Sequence, residues 1–272
     1  ILFCGYHGWH DWYLAANIQN KENLSDQLLP GLTANGVPKN LRDSSIPFKY
    51  NDYEDFKNVF NKYSNEIGVV IMEPQRSIFP DLEFLKYIRK RTKEIGAVFI
   101  FDEITSGFHE NYGGRHLDLK INPDIAIFSK AIGNGYPISA IIGTKEVMES
   151  AQSTFVSSLM WTERTGFVAG IATLQKMKKF NVQDKTVKFG KKIKKGWKRI
   201  SEDLGLDISI RGMDSIPEFC FNYKNNLELS TFFIQEMLKK GFLANVRLAT
   251  TFAYTNKIID NYLEACFDIF KE

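Results

Sequence analysis

Short apolar runs alternate with stretches of helical periodicity over the first two thirds of the chain. Ile1-Leu2-Phe3-Cys4, Val69-Val70-Ile71-Met72, Ala97 to Phe101, Ile125 to Phe128 and Ser139 to Ile142 are brief, nearly unbroken apolar segments. Runs of this length, bounded by polar or glycine-rich residues, predict strands buried on both faces. Asp81 to Ile95 instead places Leu82, Leu85, Ile88, Thr92 and Ile95 at helical spacing and stops at Gly96, which predicts a helix with a glycine C-cap. Alternation of the two patterns predicts an α/β fold: a mostly parallel sheet with helices on both faces.

Beyond about Gln175 the texture changes. A helix is expected before two strands, Asp207-Ile208-Ser209-Ile210 and Phe219-Cys220-Phe221; a helical segment from Leu227 to Lys240 ends at Gly241, and a last helix runs from Lys257 to Phe270. Strands followed by helices predict a smaller α+β unit, so the expected domains are residues 1–175 and 176–272. Residues 17–51, rich in Asn, Pro, Gly and Ser, carry no period and read as a functional loop or subunit contact.

Composition narrows the function classes. With 272 residues, 44% hydrophobic and 25% charged, the chain has the make-up of a globular protein, which removes disordered, collagen-like and coiled-coil readings. No run of about 18 apolar residues suggests a membrane helix, and the first residues lack a secretory signal. Cys4, Cys220 and Cys266 show no paired spacing, so free buried thiols and a cytoplasmic location are expected. Net charge is only +3, but lysines crowd the stretch from Lys176 to Arg199. Val187, Ile193, Trp197 and Ile200 recur among them at near-helical spacing, which favours an amphipathic helix with a solvated face over a nucleic-acid surface.

The chemistry gathers in two segments. Phe99-Ile100-Phe101-Asp102-Glu103-Ile104-Thr105-Ser106-Gly107-Phe108 and Ile127-Phe128-Ser129-Lys130-Ala131-Ile132-Gly133-Asn134-Gly135-Tyr136-Pro137 each read as a strand delivering a charged side chain at its C-terminal end, where open α/β sheets place ligands. A lysine after a strand is ordinarily a solvated residue, and Asp-Glu is often a helix start or a metal site. Together the lysine and the aspartate suit pyridoxal phosphate: the amine condenses with the cofactor aldehyde and the carboxylate pairs with the pyridinium nitrogen. Gly133 and Gly135 let backbone approach a ligand closely. His7, His10 and Asp11 come with no HExxH and no cysteine cluster, so no metal is expected.

These segments, with Gly5-Tyr6-His7-Gly8-Trp9-His10-Asp11-Trp12-Tyr13, Met72-Glu73-Pro74 and Trp161-Thr162-Glu163-Arg164, resemble the class III aminotransferase family of fold-type I pyridoxal phosphate enzymes, in particular its branch similar to glutamate-1-semialdehyde aminomutase. The resemblance implies a cofactor-binding large domain over 1–175 and a small C-terminal domain over 176–272. It implies that Lys130 forms the Schiff base and moves protons, and that Asp102 holds the pyridinium proton. Tyr6 would stack on one cofactor face and Ile104 would pack on the other. His7 joins the cofactor-binding set, and Thr162 would reach the phosphate across a homodimer interface. Glu73 and Glu103 are read as structural at least as readily as chemical. Departures are Phe167, where a proline is common, and His109, where arginine is frequent; Arg247 is a candidate for a substrate carboxylate. The chain begins inside an expected strand and lacks the family's glycine- and serine-rich phosphate turn, so a piece of a longer enzyme is expected.

The function expected is transfer of an amino group between an amino donor and a carbonyl acceptor by a homodimer with a shared site, with neither nucleic acid nor membrane as partner. The rivals are an aminomutase using the same Lys130 and Asp102, and a catalytically incompetent fragment serving as a binding surface.

Overall fold

The apolar runs pair into one sheet in the computed structural model, which describes residues 1–157 and 162–272. Its strands are β1 (Leu2–Cys4), β2 (Ile46–Pro47), β3 (Val69–Met72), β4 (Val98–Asp102), β5 (Ile125–Phe128) and β6 (Ala140–Gly143), in the spatial order β2-β1-β3-β4-β5-β6; the short helices α1 (Asp11–Leu14), α2 (Ala16–Gln19) and α6 (Lys145–Glu149) lie in its connections beside the longer ones named below. All pairings are parallel except that of β6 with β5, which is antiparallel. Alternate residues of each strand serve opposite faces. Leu2, Cys4, Val70, Met72, Phe99 and Phe101 pack with Phe56 and Phe60 of α3 (Tyr53–Tyr63) and Phe84, Leu85 and Ile88 of α4 (Leu82–Ile95). Phe3 and Ile71 point the other way, against Tyr13, Ala16 and Leu24. Burial on both faces is why these strands read as continuous apolar runs.

Helix α4 shows how local signals set the boundaries. Asp81 caps it by accepting from the Glu83 and Phe84 amides, and Gly96 closes it with φ of 71°. Residues 17–51 are held by buried polar side chains instead of periodic packing. Gln27 accepts from the Gly5 amide and donates to the Phe48 carbonyl, and Asn17 donates to the Leu32 carbonyl. This stretch also supplies β2, which the pattern did not foretell: two residues are too few to show a period.

A carboxylate pins the N-terminal ends of β4 and β5. Asp124, just before β5, takes a two-pronged ion pair from Arg89 of α4 at 2.7 Å on each oxygen and accepts from the Phe99 amide of β4 at 2.8 Å. Partial desolvation pushes its carboxyl up, but the Arg89 contact and the Phe99 N–H outweigh that and hold it below the ordinary value.

Compactness divides the chain into one unit of Ile1–Pro74, Pro80–Gly107 and Gly113–Thr173 and another of Gln75–Phe79, Phe108–Tyr112 and Leu174–Glu272. The second unit contains the antiparallel pair β7 (Ile208–Gly212) and β8 (Pro217–Phe221) with α8 (Val182–Leu204), α9 (Asn226–Lys239) and α10 (Asn256–Lys271). Its core is aromatic: Phe219 contacts the rings of Trp197, Phe221, Phe233 and Phe270. Short excursions are stitched into this unit. Ser77 donates to Glu218, Glu110 accepts from the Asp214 and Ser215 amides, and Gln183 donates to the Phe108 carbonyl. On α8, Ile193, Trp197 and Ile200 are buried, while Lys191, Lys192, Lys194 and Lys198 are engaged with Asp214, Asp260, Asp214 and Glu202. All three cysteines are free; Cys4 and Cys266 are buried, whereas Cys220 of β8 is only half-buried. Burial pushes the Cys266 thiol up to about 12.

The sign of the Asp124 shift gives a pH-dependent outcome. A carboxyl held lower in the folded than in the unfolded chain stabilises fully above its ordinary value and loses that contribution as pH falls through the folded one. Asp124→Asn is expected to cost about 1–2 kcal/mol at neutral pH, a figure reduced for partial solvent exposure. The gap from the parent chain should narrow in acid. Urea unfolding at neutral pH and near the acid limit checks this, and an equal gap at both would count against the clamp.

Candidate active site

Two neighbouring parallel strands deliver the two charged groups. Asp102 is the last residue of β4 and pairs with Ile127 of β5, and Lys130 follows β5 by two residues. Asp102 is buried, with 5% of the residue exposed. Its Oδ2 lies 2.9 Å from His7 Nδ1, and its Oδ1 accepts from the Ile104 amide at 3.1 Å. A carboxylate has about four acceptor positions, so capacity remains for a cationic N–H donor.

Lys130 has φ of 43°, the left-handed region that costs an ordinary residue about 1–2 kcal/mol. Its amine is exposed and donates to Thr105 Oγ1 at 2.7 Å. The loop that imposes this conformation is tight: the Gly133 and Asn134 amides both bond the Lys130 carbonyl, and the Tyr136 amide bonds the Gly133 carbonyl. A Cβ on Gly133 would lie 2.1 Å from the Tyr136 carbonyl oxygen, so only glycine fits there. Beneath the loop, Gly166 and Gly170 of α7 (Thr165–Phe180) face Ile138 and the Pro137 and Ile132 carbonyls, a close approach that small residues allow.

Tyr6 sits in the turn after β1, where Gly5 takes φ of 113° and the Tyr13 hydroxyl donates to the Gly5 carbonyl. Its ring is half-buried and contacts Trp9 at 5.2 Å and Tyr13 at 5.8 Å. Desolvation raises the Tyr6 phenol, which keeps the ring neutral. Glu73 lies against this turn, accepting from the Tyr6 amide at 3.3 Å. His7 is buried and spends both ring nitrogens within the chain, on Asp102 and on the Cys4 carbonyl at 3.2 Å. Ile104 is half-buried.

Glu103 is fully buried and takes four donors: Ser106 Oγ at 2.5 Å, and the Arg115 amide, the His116 amide and His116 Nδ1, each at 2.9 Å. It therefore locks the end of β4 to the start of α5 (Arg115–Leu119), which makes its role structural.

Other candidates lie apart from this group. Thr162 is exposed in a short turn before α7, with no described hydrogen bond to Asp102, His7 or Lys130; Trp161 lies outside the described residues. Glu163 caps α7: the Thr165 hydroxyl and amide bond its carboxylate and hold it below its ordinary value. Phe167 stands exposed on the first turn of that helix. His109 belongs to the other compact unit, as does Arg247, whose Nε is 3.9 Å from Glu218. Three clefts of about 510–620 Å3 also belong to that unit, lined by residues such as Lys192, Lys195 and Leu229. None of these three contains a nucleophile paired with a buried carboxylate, so cleft size and candidate chemistry do not coincide.

Sequence reasoning missed Thr105 and the His116 contact. A hydroxyl in a strand-end loop carries no signal of its own, and His116 meets Glu103 only through folding of residues 104–114.

The residues present fit pyridoxal phosphate on this structure's own terms: a buried carboxylate with unused acceptor positions, an exposed amine just past the next strand and a neutral aromatic ring beside the same sheet edge.

The aminotransferase class-III family model matches residues 3–270. The chain is 32% identical over 289 residues to a glutamate-1-semialdehyde 2,1-aminomutase of Clostridium kluyveri, covering 97% of this chain and 67% of that protein. It is 27% identical over 224 residues to a 3-aminobutyryl-CoA aminotransferase of Cloacimonas acidaminovorans, covering 80% of this chain and 50% of that one. The structure of an omega-transaminase from Sphaerobacter thermophilus superposes with a TM-score of 0.86 at 19% identity, over 99% of this chain and 67% of that one, which shows the shared fold.

Glu103→Gln places an amide where four donors converge and should cost about 2–3 kcal/mol. The expected readout is a melting temperature lower by roughly 4–10 °C; an unchanged thermal melt would contradict the lock.

Proposed function

The chain belongs to the class-III aminotransferase family, and from that membership we propose that its protein is a pyridoxal phosphate-dependent aminotransferase in which Lys130 and Asp102 carry the chemistry. The chain spans about two thirds of the length of the Clostridium kluyveri relative, so activity, substrates and assembly belong to this proposal. The observation that carries it is the register of β4 and β5, which brings a buried carboxylate and an amine to one sheet edge.

Pyridoxal phosphate supplies an aldehyde that condenses with amines and, once its ring nitrogen is protonated, a ring that withdraws electrons from the substrate α-carbon. Asp102 holds the proton at that ring nitrogen. Tyr6 would pack one face of the ring and Ile104 the other; offset stacking adds on the order of 1 kcal/mol and would orient the ring without binding it alone. Lys130 would hold the aldehyde through Nζ, and its amine, once released, would carry a proton to or from the substrate α-carbon. Tethering beside the reacting carbon raises its effective concentration. The amino group leaves a donor and joins a carbonyl acceptor in two half-reactions.

A homodimer is part of the proposal, with Thr162 donating to the phosphate of the partner subunit's cofactor. Exposed apolar side chains on β6 and α7 and beside them, among them Tyr136, Ile141, Ile142, Val168 and Ile171, support a covered surface there. A cytoplasmic location is supported by the three free thiols. No helix among the described residues is long and apolar enough to cross a membrane.

The 32% identity to an aminomutase favours a second reading, in which the amino group moves within one molecule. Isomerisation of a single substrate without a co-substrate would select it, whereas exchange between two free substrates selects the transferase.

The full-length protein with pyridoxal phosphate should show visible absorption that borohydride fixes onto Lys130, located by peptide mapping. Amino donors should bleach that band. Lys130→Ala is expected to lower turnover by at least about 10²–10⁴-fold. Fixation at another lysine, or none, would sink the assignment.

A further inference from the structure

Resting on the role given to Lys130 above, we propose that Thr105 is a positioning residue whose hydroxyl holds the released Lys130 amine, in its charged and its neutral form alike. Thr105 Oγ1 lies 2.7 Å from Lys130 Nζ. Among the described residues no carboxylate forms an ion pair with this amine, so the hydroxyl is what fixes its place. A hydroxyl suits an amine that must change charge. It accepts from an ammonium through a lone pair and donates to a neutral amine through its own proton. A carboxylate could do only the first, and it would favour the charged form, which can neither condense with an aldehyde nor take up a proton.

The backbone fixes the hydroxyl end of this contact. Thr105 lies in the turn after β4, where the Glu103 amide extends the ladder to the Ile127 carbonyl at 2.9 Å and the Gly107 amide closes on the Glu103 carbonyl at 2.8 Å. A Cβ on Gly107 would lie 2.7 Å from the Phe128 ring, so the turn sits directly against the strand end that leads to Lys130. The Ile104 amide holds Asp102 Oδ1, so consecutive residues of one turn hold the carboxylate and the amine. Threonine is branched at Cβ, which restricts χ1 and with it the direction of the hydroxyl. Lys130 differs: its loop fixes the backbone, while the amine rides on a flexible four-carbon stem. Without a partner at Nζ the amine would spread over many rotamers, and a tethered proton carrier works only as well as that spread is narrow.

Two variants separate hydrogen bonding from packing: Thr105→Val keeps the shape and removes the hydroxyl, and Thr105→Ser keeps the hydroxyl and removes a methyl group. In the full-length, cofactor-free protein, competitive labelling with trace acetic anhydride followed by peptide mapping reads the reactivity of each lysine amine. Lys130 should react about three- to tenfold faster in Thr105→Val, where its hydrogen bond is gone, and within about twofold of the parent in Thr105→Ser. The lysines of α8 should keep their rates in both. An unchanged Lys130 rate in Thr105→Val overturns the proposal, and so does an equal change in the two variants, which would mark packing alone. In the holoenzyme, Thr105→Val should lower kcat by about tenfold with KM within about twofold, and Thr105→Ser should restore most of the loss. A change confined to KM also overturns it. Thr105→Ala, which asks for no extra room, takes the place of the valine variant should that one fail to fold. If borohydride fails to fix cofactor on Lys130 although the labelling rate follows the hydroxyl, the functional assignment falls and the Thr105 contact stands.

Discussion

Parallel pairing of β4 with β5 is the interaction on which the site depends, because it sets the segment that carries Asp102 beside the one that carries Lys130. The two residues are far apart in sequence, and neither helix nor turn could bring them together. Backbone hydrogen bonds between Ile100–Asp102 and Ile125–Ile127 set the register, and with it the level at which each side chain leaves the sheet. A slip by one residue would turn each side chain of the shifted strand to the opposite face.

Carboxylates reinforce this pair at both ends. Asp124 joins the start of β5 to β4 and α4, and Glu103 fixes the chain just past β4 to the start of α5. The acids are satisfied differently, and the difference separates structure from chemistry. Glu103 has four protein donors and is enclosed; Asp124 is divided between an arginine and an amide; Asp102 has one donor on each oxygen and keeps acceptor positions free. Adjacent acidic residues, Asp102 and Glu103, thus serve unlike ends: alternation along the strand sends one toward the site and the other toward the buried network.

Much of this was legible in the sequence. Val69–Met72 and Ile125–Phe128 were delimited by their apolar runs, and α4 by Asp81 and Gly96, because each boundary is decided within a few residues. The small unit's strands and helices were legible for the same reason. What escaped notice depends on distant partners: β2 exists only because β1 lies beside it, and the Glu103 lock needs His116 folded back. Cysteine content alone predicts a buried Cys220, yet the side chain is half-buried, a matter decided by distant packing. At the candidate site, Lys130 and Asp102 stand out in the sequence because their chemistry is rare in combination. Thr105 could not, since a threonine in a loop has many ordinary uses.

The left-handed backbone at Lys130 bears on how lineages of this fold lose activity. A residue there must tolerate positive φ and, under the role proposed for Lys130, also supply an amine; only the second demand would disappear if catalysis were no longer selected. Drift would then favour glycine or asparagine at the position, both of which relieve the backbone, over the arginine or glutamine that exchange for lysine elsewhere. Decayed descendants would carry that signature while their sheet stayed intact.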